Sequence, residues 1–253
     1  AKGEVYFNDI PNNHTWKVDL SGKLSVANAE SQRANGMYYG RDKVRYTVTA
    51  QQVLAFSEDG TSRVVADGIR GNDIVVRNDG GIYVTQPGAV KPDENLLWYI
   101  SPSGETSVVD KGLNFPNGVT LSPDQSLLYV ADMRSRWVYS YQVQPDGSLK
   151  GKQRFYHLHV ADGANDSGAD GMRCDTEGRL WVTTRMGIQV CDQMGRVNCI
   201  IPTPNGRIAN LCFGGEQFDV VYATCVDKVY KRRVKAHGIN PAEGPIKVPA
   251  PKK

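Results

Sequence analysis

The sequence has no run of about 18 apolar residues and no visible signal peptide, so nothing in it reads as a membrane span. Apolar residues never recur at helical spacing over a useful length, which predicts a chain with almost no helix. The five cysteines (Cys174, Cys191, Cys199, Cys212 and Cys225) are odd in number and form no Cys-x-x-Cys pair, which argues against a zinc or dithiol centre. Most sit in or beside apolar runs and read as small buried hydrophobes, with a bridge between neighbouring units left open. An excess of one charge is also missing: 30 Lys and Arg against 27 Asp and Glu leave a net +3, and nucleic-acid binding gains little support. The one cluster, Lys231-Arg232-Arg233, alternates along a strand and reads as a solvated edge whose charges deter sheet-to-sheet pairing. No Gly-x-Ser-x-Gly elbow or other serine nucleophile signature occurs, which disfavours covalent catalysis.

What the chain does have is a repeat. Five anchors, Asn35-Gly36-Met37, Asn72-Asp73-Ile74, Asn117-Gly118-Val119, Asp170-Gly171-Met172 and Asn210-Leu211-Cys212, each precede a β-run centred on an aromatic. The aromatics are Tyr46, Tyr83, Tyr129, Trp181 and Tyr222, at offsets of 11, 11, 12, 11 and 12 residues. A sixth run, Val5-Tyr6-Phe7, opens the chain, and its own anchor would fall upstream of Ala1. The centres from Tyr6 to Tyr222 are 40, 37, 46, 52 and 41 residues apart, the period of propeller blades built from four short strands. The expected fold is all-β, a six-bladed β-propeller truncated at its N-terminus, in one domain over 1–240. Residues 241–253, rich in proline, cannot pair in a sheet and are expected as a flexible tail.

Within most units a second apolar run leads to a turn, as at Val53-Leu54-Ala55-Phe56 before Asp59-Gly60 and Leu97-Trp98-Tyr99-Ile100 before Ser103-Gly104. Glycine there supplies a positive φ, so run, turn, run predicts a hairpin in each unit. The anchors then lead into the strands that line a central channel. Polar oxygens converging from several blades make the ligand type that hard cations such as Ca²⁺ select. Asn and Asp also suit such loops for their turn geometry alone, so the repeat argues for convergence in space rather than for chemistry.

Asn114-Phe115-Pro116-Asn117-Gly118-Val119-Thr120-Leu121-Ser122-Pro123-Asp124, followed by Leu128-Tyr129-Val130-Ala131-Asp132, closely resembles the gluconolactonase and regucalcin (SMP-30) family. The likeness recurs at residues 7–13, at Gly168-Ala169-Asp170-Gly171-Met172 with Leu180-Trp181-Val182, and at residues 210–215, and so covers nearly everything but the tail. It implies a six-bladed propeller that holds one divalent cation, Ca²⁺ first, with Zn²⁺, Mg²⁺ or Mn²⁺ as alternatives, and hydrolyses sugar lactones or related cyclic esters. It implies metal ligands at Asn117 and Asp170, and at a Glu that belongs to the missing first anchor. The family's Arg-x-Asn-Asp motif matches Arg70-Gly71-Asn72-Asp73, which implies substrate contacts from Arg70 and Asn72. A family acid in the following loop has no position fixed by motif here; Asp93 and Glu94 lie nearest.

The implied mechanism polarises the ring carbonyl and activates water with the cation. Asp170 would ligate and accept a proton, Asn117 would give a neutral oxygen, and Arg70 and Asn72 would orient hydroxyls and the developing oxyanion. With Asp170 as the only carboxylate, cation binding is expected to be weak unless Asp73 or Asp166 reaches the site. His157 and His159 alternate on one strand face and read as a surface pair rather than zinc ligands. Two other readings stand beside this one. One is a non-catalytic propeller scaffold that binds a metal or a partner. The other is a phosphotriesterase-like or large-lactone hydrolase with Trp98 and the 86–95 loop as determinants. No motif fixes compartment or oligomeric state.

Overall fold

The computed structural model describes residues 3–88 and 92–251. Among them the one helical element is a 3-10 turn, Pro92–Glu94, and the rest of the regular structure is strand. Short runs become antiparallel ribbons because a side chain, most often Asp or Ser, closes many of the turns. Asp59 Oδ1, for instance, accepts from the Thr61 N–H at 2.9 Å and its hydroxyl at 2.7 Å, with Gly60 beside it at φ 86°. The same device recurs at Asp19, Asp146 and Asp192.

Six sheets follow one another around a central channel. Blade 1 holds β1 (Val5–Asp9), β2 (His14–Val18) and β3 (Leu24–Asn28). Blade 2 holds β4 (Met37–Tyr39), β5 (Arg45–Val48), β6 (Gln52–Phe56) and β7 (Ser62–Asp67). Blade 3 comprises β8 (Ile74–Val76), β9 (Ile82–Gln86), β10 (Leu96–Ile100) and β11 (Thr106–Lys111). Blade 4 comprises β12 (Pro116–Leu121), β13 (Leu127–Asp132), β14 (Trp137–Val143) and β15 (Leu149–His157). Blade 5 has β16 (Met172–Cys174), β17 (Leu180–Thr184), β18 (Gly187–Cys191) and β19 (Val197–Ile201), and blade 6 has β20 (Asn210–Gly214), β21 (Val220–Cys225) and β22 (Lys228–Arg233).

The repeated aromatics all lie on second strands: Tyr46 on β5, Tyr83 on β9, Tyr129 on β13, Trp181 on β17 and Tyr222 on β21. By the same register Tyr6 makes β1 a second strand, and among the described residues β1 pairs with β2 alone. Apolar clusters fill the seams between successive blades from 2 to 6; Val48, Val53, Ile74, Val84 and Ile100, for example, join blades 2 and 3. Each fully buried aliphatic of this kind contributes about 1.5–3 kcal/mol. The flanks of blade 1 are built differently. On one side Arg45 lies between the rings of Tyr6 and Phe56, at 5.7 and 4.8 Å. On the other a cavity of about 310 Å³ separates β1 from β20 and β21, bridged near its far end by the Gly215 N–H to the Gly3 carbonyl at 2.9 Å.

Residues 241–251, expected as a free tail, lie along the far ends of the channel strands. The approach is fixed by the Thr176 N–H to the His237 carbonyl at 2.8 Å and the Gly238 N–H to the Phe218 carbonyl at 2.7 Å. Further on, the Ile246 N–H donates to the Pro123 carbonyl at 2.9 Å and Gln193 Nε2 donates to the Pro249 carbonyl at 2.9 Å. Proline removes ladder donors, but its carbonyls still accept bonds, and the segment uses them. Lys252 and Lys253 lie outside the described residues. All five cysteines are free, and only Cys199 is exposed.

Candidate metal and substrate site

In blades 2, 3, 5 and 6 the channel mouth is assembled by main-chain bonds from the residues that lead into the first strand. Asn35, Asn72 and Asp170 donate their N–H groups to Val48, Thr85 and Thr183 carbonyls at 2.8, 2.7 and 3.0 Å. In blade 6 the equivalent donor is Ala209, to Thr224 at 2.9 Å, so the sixth anchor side chain is a methyl and Asn210 stands one place further on. Asn210 Oδ1 instead accepts from the Leu211 N–H at 2.8 Å. The offset of 12 to Tyr222 hides this slip of one residue.

The glycines after the anchors serve close approach between blades. A Cβ at Gly36 would run into Asp73, one at Gly118 into the Asp170 carbonyl, and one at Gly171 into the Asn210 amide. None of the three has a positive φ, so tight packing rather than turn geometry requires glycine there. This packing draws neighbouring anchors together.

Asn117 is buried, 4% exposed, and held by its backbone. Asp132 accepts from the Phe115 N–H at 2.8 Å and from Asn114 Nδ2 at 3.2 Å, which fixes the turn into β12, and the Asn117 carbonyl accepts from Thr85 Oγ1 at 2.5 Å. Its Nδ2 donates to Met133 Sδ at 3.3 Å, while Oδ1 has no partner among the described residues. An unpaired buried acceptor costs about 1–3 kcal/mol, so such an atom in a well-packed site calls for a ligand.

Asp170 stands beside it, half-buried. Burial pushes its carboxyl up to about 7, the nearby Asp73 carboxylate adds to the rise, and a hydrogen bond from the Asn117 amide offsets part of it. Asp73 is itself raised by burial, against the pull of Arg173 and of two backbone donors, Ile74 N–H at 2.9 Å and Val119 N–H at 3.1 Å. Its oxygens therefore serve the wall between blades 3 and 4. Asp166 is committed elsewhere, to the Gly168 N–H and to Arg185 at 3.1 Å.

Asn72 and Asp170 line the same 310 Å³ cavity. Arg70 does not: its side chain is exposed, and its backbone N–H donates to Gln86 Oε1 at 3.1 Å, which also accepts from Trp98 Nε1 at 3.1 Å. Gln86 thus ties the Arg70 loop to the 86–95 segment, where Asp93 and Glu94 are exposed and residues 89–91 lie outside the described residues. His157 and His159 are exposed, His157 edge-on to Trp137 at 4.7 Å. Among the described residues no group of three or more His, Cys, Asp and Glu could hold a metal. One amide oxygen and one carboxylate nevertheless form a hard donor pair that fits a divalent cation with open positions. Sequence reasoning missed Arg173, whose guanidinium projects into the channel beneath this pair; its signal was a charged residue inside an otherwise apolar first strand, Met172-Arg173-Cys174.

A six-bladed propeller with an amide and a carboxylate meeting at the mouth of its channel defines a structural class. Within that class, the chain belongs to the SMP-30/gluconolactonase/LRE-like family, whose model matches residues 1–227. It is 27% identical over 229 residues to a gluconolactonase from Zymomonas mobilis, covering 81% of this chain and 64% of the relative. It is 24% identical over 173 residues to the pentonolactonase XacC of Haloferax volcanii, covering 65% of this chain and 56% of the relative. The chain therefore spans between about half and two thirds of the length of these curated relatives. Among solved structures, the calcium-binding protein regucalcin from Agrobacterium tumefaciens shares the fold with a TM-score of 0.81 at 16% identity, over 94% of this chain and 88% of that one.

Proposed function

We propose that this propeller is a metal-dependent hydrolase that opens sugar lactones or related cyclic esters, with Asn117 and Asp170 holding a divalent cation, Ca²⁺ first among candidates. The observation that carries this is the unpartnered Asn117 Oδ1, buried beside a carboxylate that burial has made reluctant to ionise. A cation satisfies both at once, giving the oxygen a partner and favouring the charged carboxylate. The curated relatives that act on gluconolactone and pentonolactone, and the calcium-binding neighbour, support the same reading.

When bound, the cation supplies Lewis acidity to the ring carbonyl and acidity to water. Asp170, whose carboxylate a bound cation would keep charged, would take the proton from the attacking water and return it to the leaving alkoxide. Asn72 faces the cavity and orients the sugar hydroxyls. Arg70, on the same loop and tethered through Gln86, reaches the substrate from the rim. Trp98, fixed by the same Gln86, shapes the outer wall.

The test is a proton-release assay with gluconolactone in the presence of Ca²⁺, Mg²⁺, Mn²⁺ or Zn²⁺, run on the wild type and on Asp170→Asn, beside calorimetric titration of each cation. Turnover that needs a cation and is lost in Asp170→Asn is the expected result. Absence of turnover with all four, together with cation binding unaffected by Asn117→Ala and Asp170→Asn, would overturn the proposal.

A further inference from the structure

Arg173 is the middle residue of β16, three residues beyond Asp170, so it sits about 10 Å deeper along the channel at roughly 3.3 Å per residue. Its half-buried side chain borders both the 310 Å³ cavity that reaches Asp170 and a second cavity of about 140 Å³ on the far side. Nη1 donates to the Met172 carbonyl at 2.6 Å, Nη2 donates to the Met37 carbonyl at 3.4 Å, and the guanidinium lies 5.6 Å from the centre of the Tyr38 ring. These partners hold it in place without neutralising it. Of the ion pairs among the described residues none includes Arg173, although its field reaches Asp73, whose oxygens accept from Ile74 and Val119. Two of a guanidinium's five donors are accounted for by neutral carbonyls, so the rest of the fork remains for another acceptor.

A charge partly shielded from water and left without an ion-pair partner favours an anion, and the planar fork of Arg matches a carboxylate better than any other partner. We infer that Arg173 makes the channel floor an anion-recognition site, and that the preferred substrate is a sugar lactone carrying a carboxylate at the end remote from the ring ester, an inference that rests on the lactonase reading for its reaction. With the ester carbonyl beside Asp170, the side chains of Asp170 and Arg173 close part of the distance, and a chain of roughly six carbons spans the remainder. Arg173 is then a specificity-determining residue: it binds the unreactive end and sets which lactone enters the channel in the productive direction.

The experiment compares kcat/KM for glucarolactone, which bears the remote carboxylate, with that for gluconolactone, which does not, in the wild type, Arg173→Met and Arg173→Lys. The expected result is a wild-type preference for glucarolactone that Arg173→Met reduces by about 10- to 100-fold, the range for a hydrogen bond to a charged group. Arg173→Lys, which keeps the charge and loses the fork, should retain part of the preference. An unchanged ratio in both variants, or a wild type with no preference, overturns the inference; so does an equal loss on both lactones, which would make Arg173 a counter-charge for Asp73 only. Should Arg173→Met fail to fold, Arg173→Lys decides on the same ratio. A calorimetric titration with glucarate, which cannot be turned over, separates the two proposals. Binding that weakens at least tenfold without the Arg173 guanidinium, in a protein that opens neither lactone, sinks the hydrolase and leaves the anion site standing. Glucarate binding indifferent to residue 173 sinks the anion site whatever the turnover.

Discussion

The two ends of the first strand of blade 5 carry an aspartate each, and their surroundings are opposite. Asp175, after the strand, is 0% exposed and fully supplied: Glu177 N–H and Arg179 N–H donate at 3.0 Å each, Arg179 Nε at 2.6 Å and Trp181 Nε1 at 2.9 Å. Asp170, before the strand, is less buried but has a lone amide neighbour and a second carboxylate nearby. A buried carboxylate surrounded by donors is a structural fastener. One left short of donors, next to an unpaired amide oxygen, has the surroundings that the proposed cation site requires.

Substitutions at the two ends break this comparison in opposite ways. The largest effect expected is on turnover: Asp170→Asn should lower kcat by about 10²- to 10⁴-fold in the presence of a divalent cation while leaving the urea midpoint level with or above that of the wild type. A matching fall in stability would put Asp170 in the same category as Asp175. Next comes Asp175→Ala, which strands Arg179, the Trp181 indole and two N–H groups. A stability loss of about 3–5 kcal/mol in urea unfolding is expected, with far-UV and near-UV spectra to establish that the folded fraction is native.

Gly118→Ala sharpens the comparison further, because the new Cβ would meet the Asp170 carbonyl and push blades 4 and 5 apart at the site. It should destabilise by about 1–3 kcal/mol and also weaken cation binding, whereas Gly60→Ala, with nothing near its Cβ, should leave binding alone and lose stability only through its positive φ.

The smallest effect concerns pH. With no cation added, the folded chain holds the Asp170 proton up to about pH 7, whereas a carboxyl with the ordinary value of 3.8 releases it earlier in the unfolded chain. This stabilising contribution is complete below about pH 4 and has gone once the pH passes about 7, so the melting temperature should fall across that interval. Solvent near a half-buried group screens the effect to a few degrees. In Asp170→Asn the fall should flatten, and a divalent cation added at pH 8 should raise the melting temperature of the wild type alone. An identical profile in both proteins would assign the dependence to other groups.

Much of this architecture was legible in the residues. The spacing of Tyr46, Tyr83, Tyr129, Trp181 and Tyr222 located a second strand in five blades, because an aromatic on a pleated surface packs between adjacent sheets at the same depth each time. Asp59-Gly60 and its counterparts marked hairpins, because an aspartate bonding its own backbone needs no distant partner. The motifs around Asn117 and Asp170 were long enough to single these two residues out, and the structure sets their side chains beside one another. What the residues did not reveal has identifiable physical reasons. Ala209 displaced Asn210 from the sixth anchor because a one-residue slip in a loop leaves the strand pattern intact. Arg70, proposed to act from the rim, does not line the cavity; a four-residue motif gives the order of residues and not the direction of a long side chain. The segment after Pro241 found acceptors and donors on the far face that its own composition could not announce.

The order of the residues alone therefore determined the local elements, their number and their period, since turns, alternation and aromatic placement act over a few residues. Only the closure of the ring decided which polar atoms were left over. Asn117 Oδ1 is unpaired, Asp170 is crowded by Asp73, and Arg173 faces a carbonyl of Met37, 136 residues away, because blades distant in the chain were brought to one axis where water is scarce and each missing partner counts.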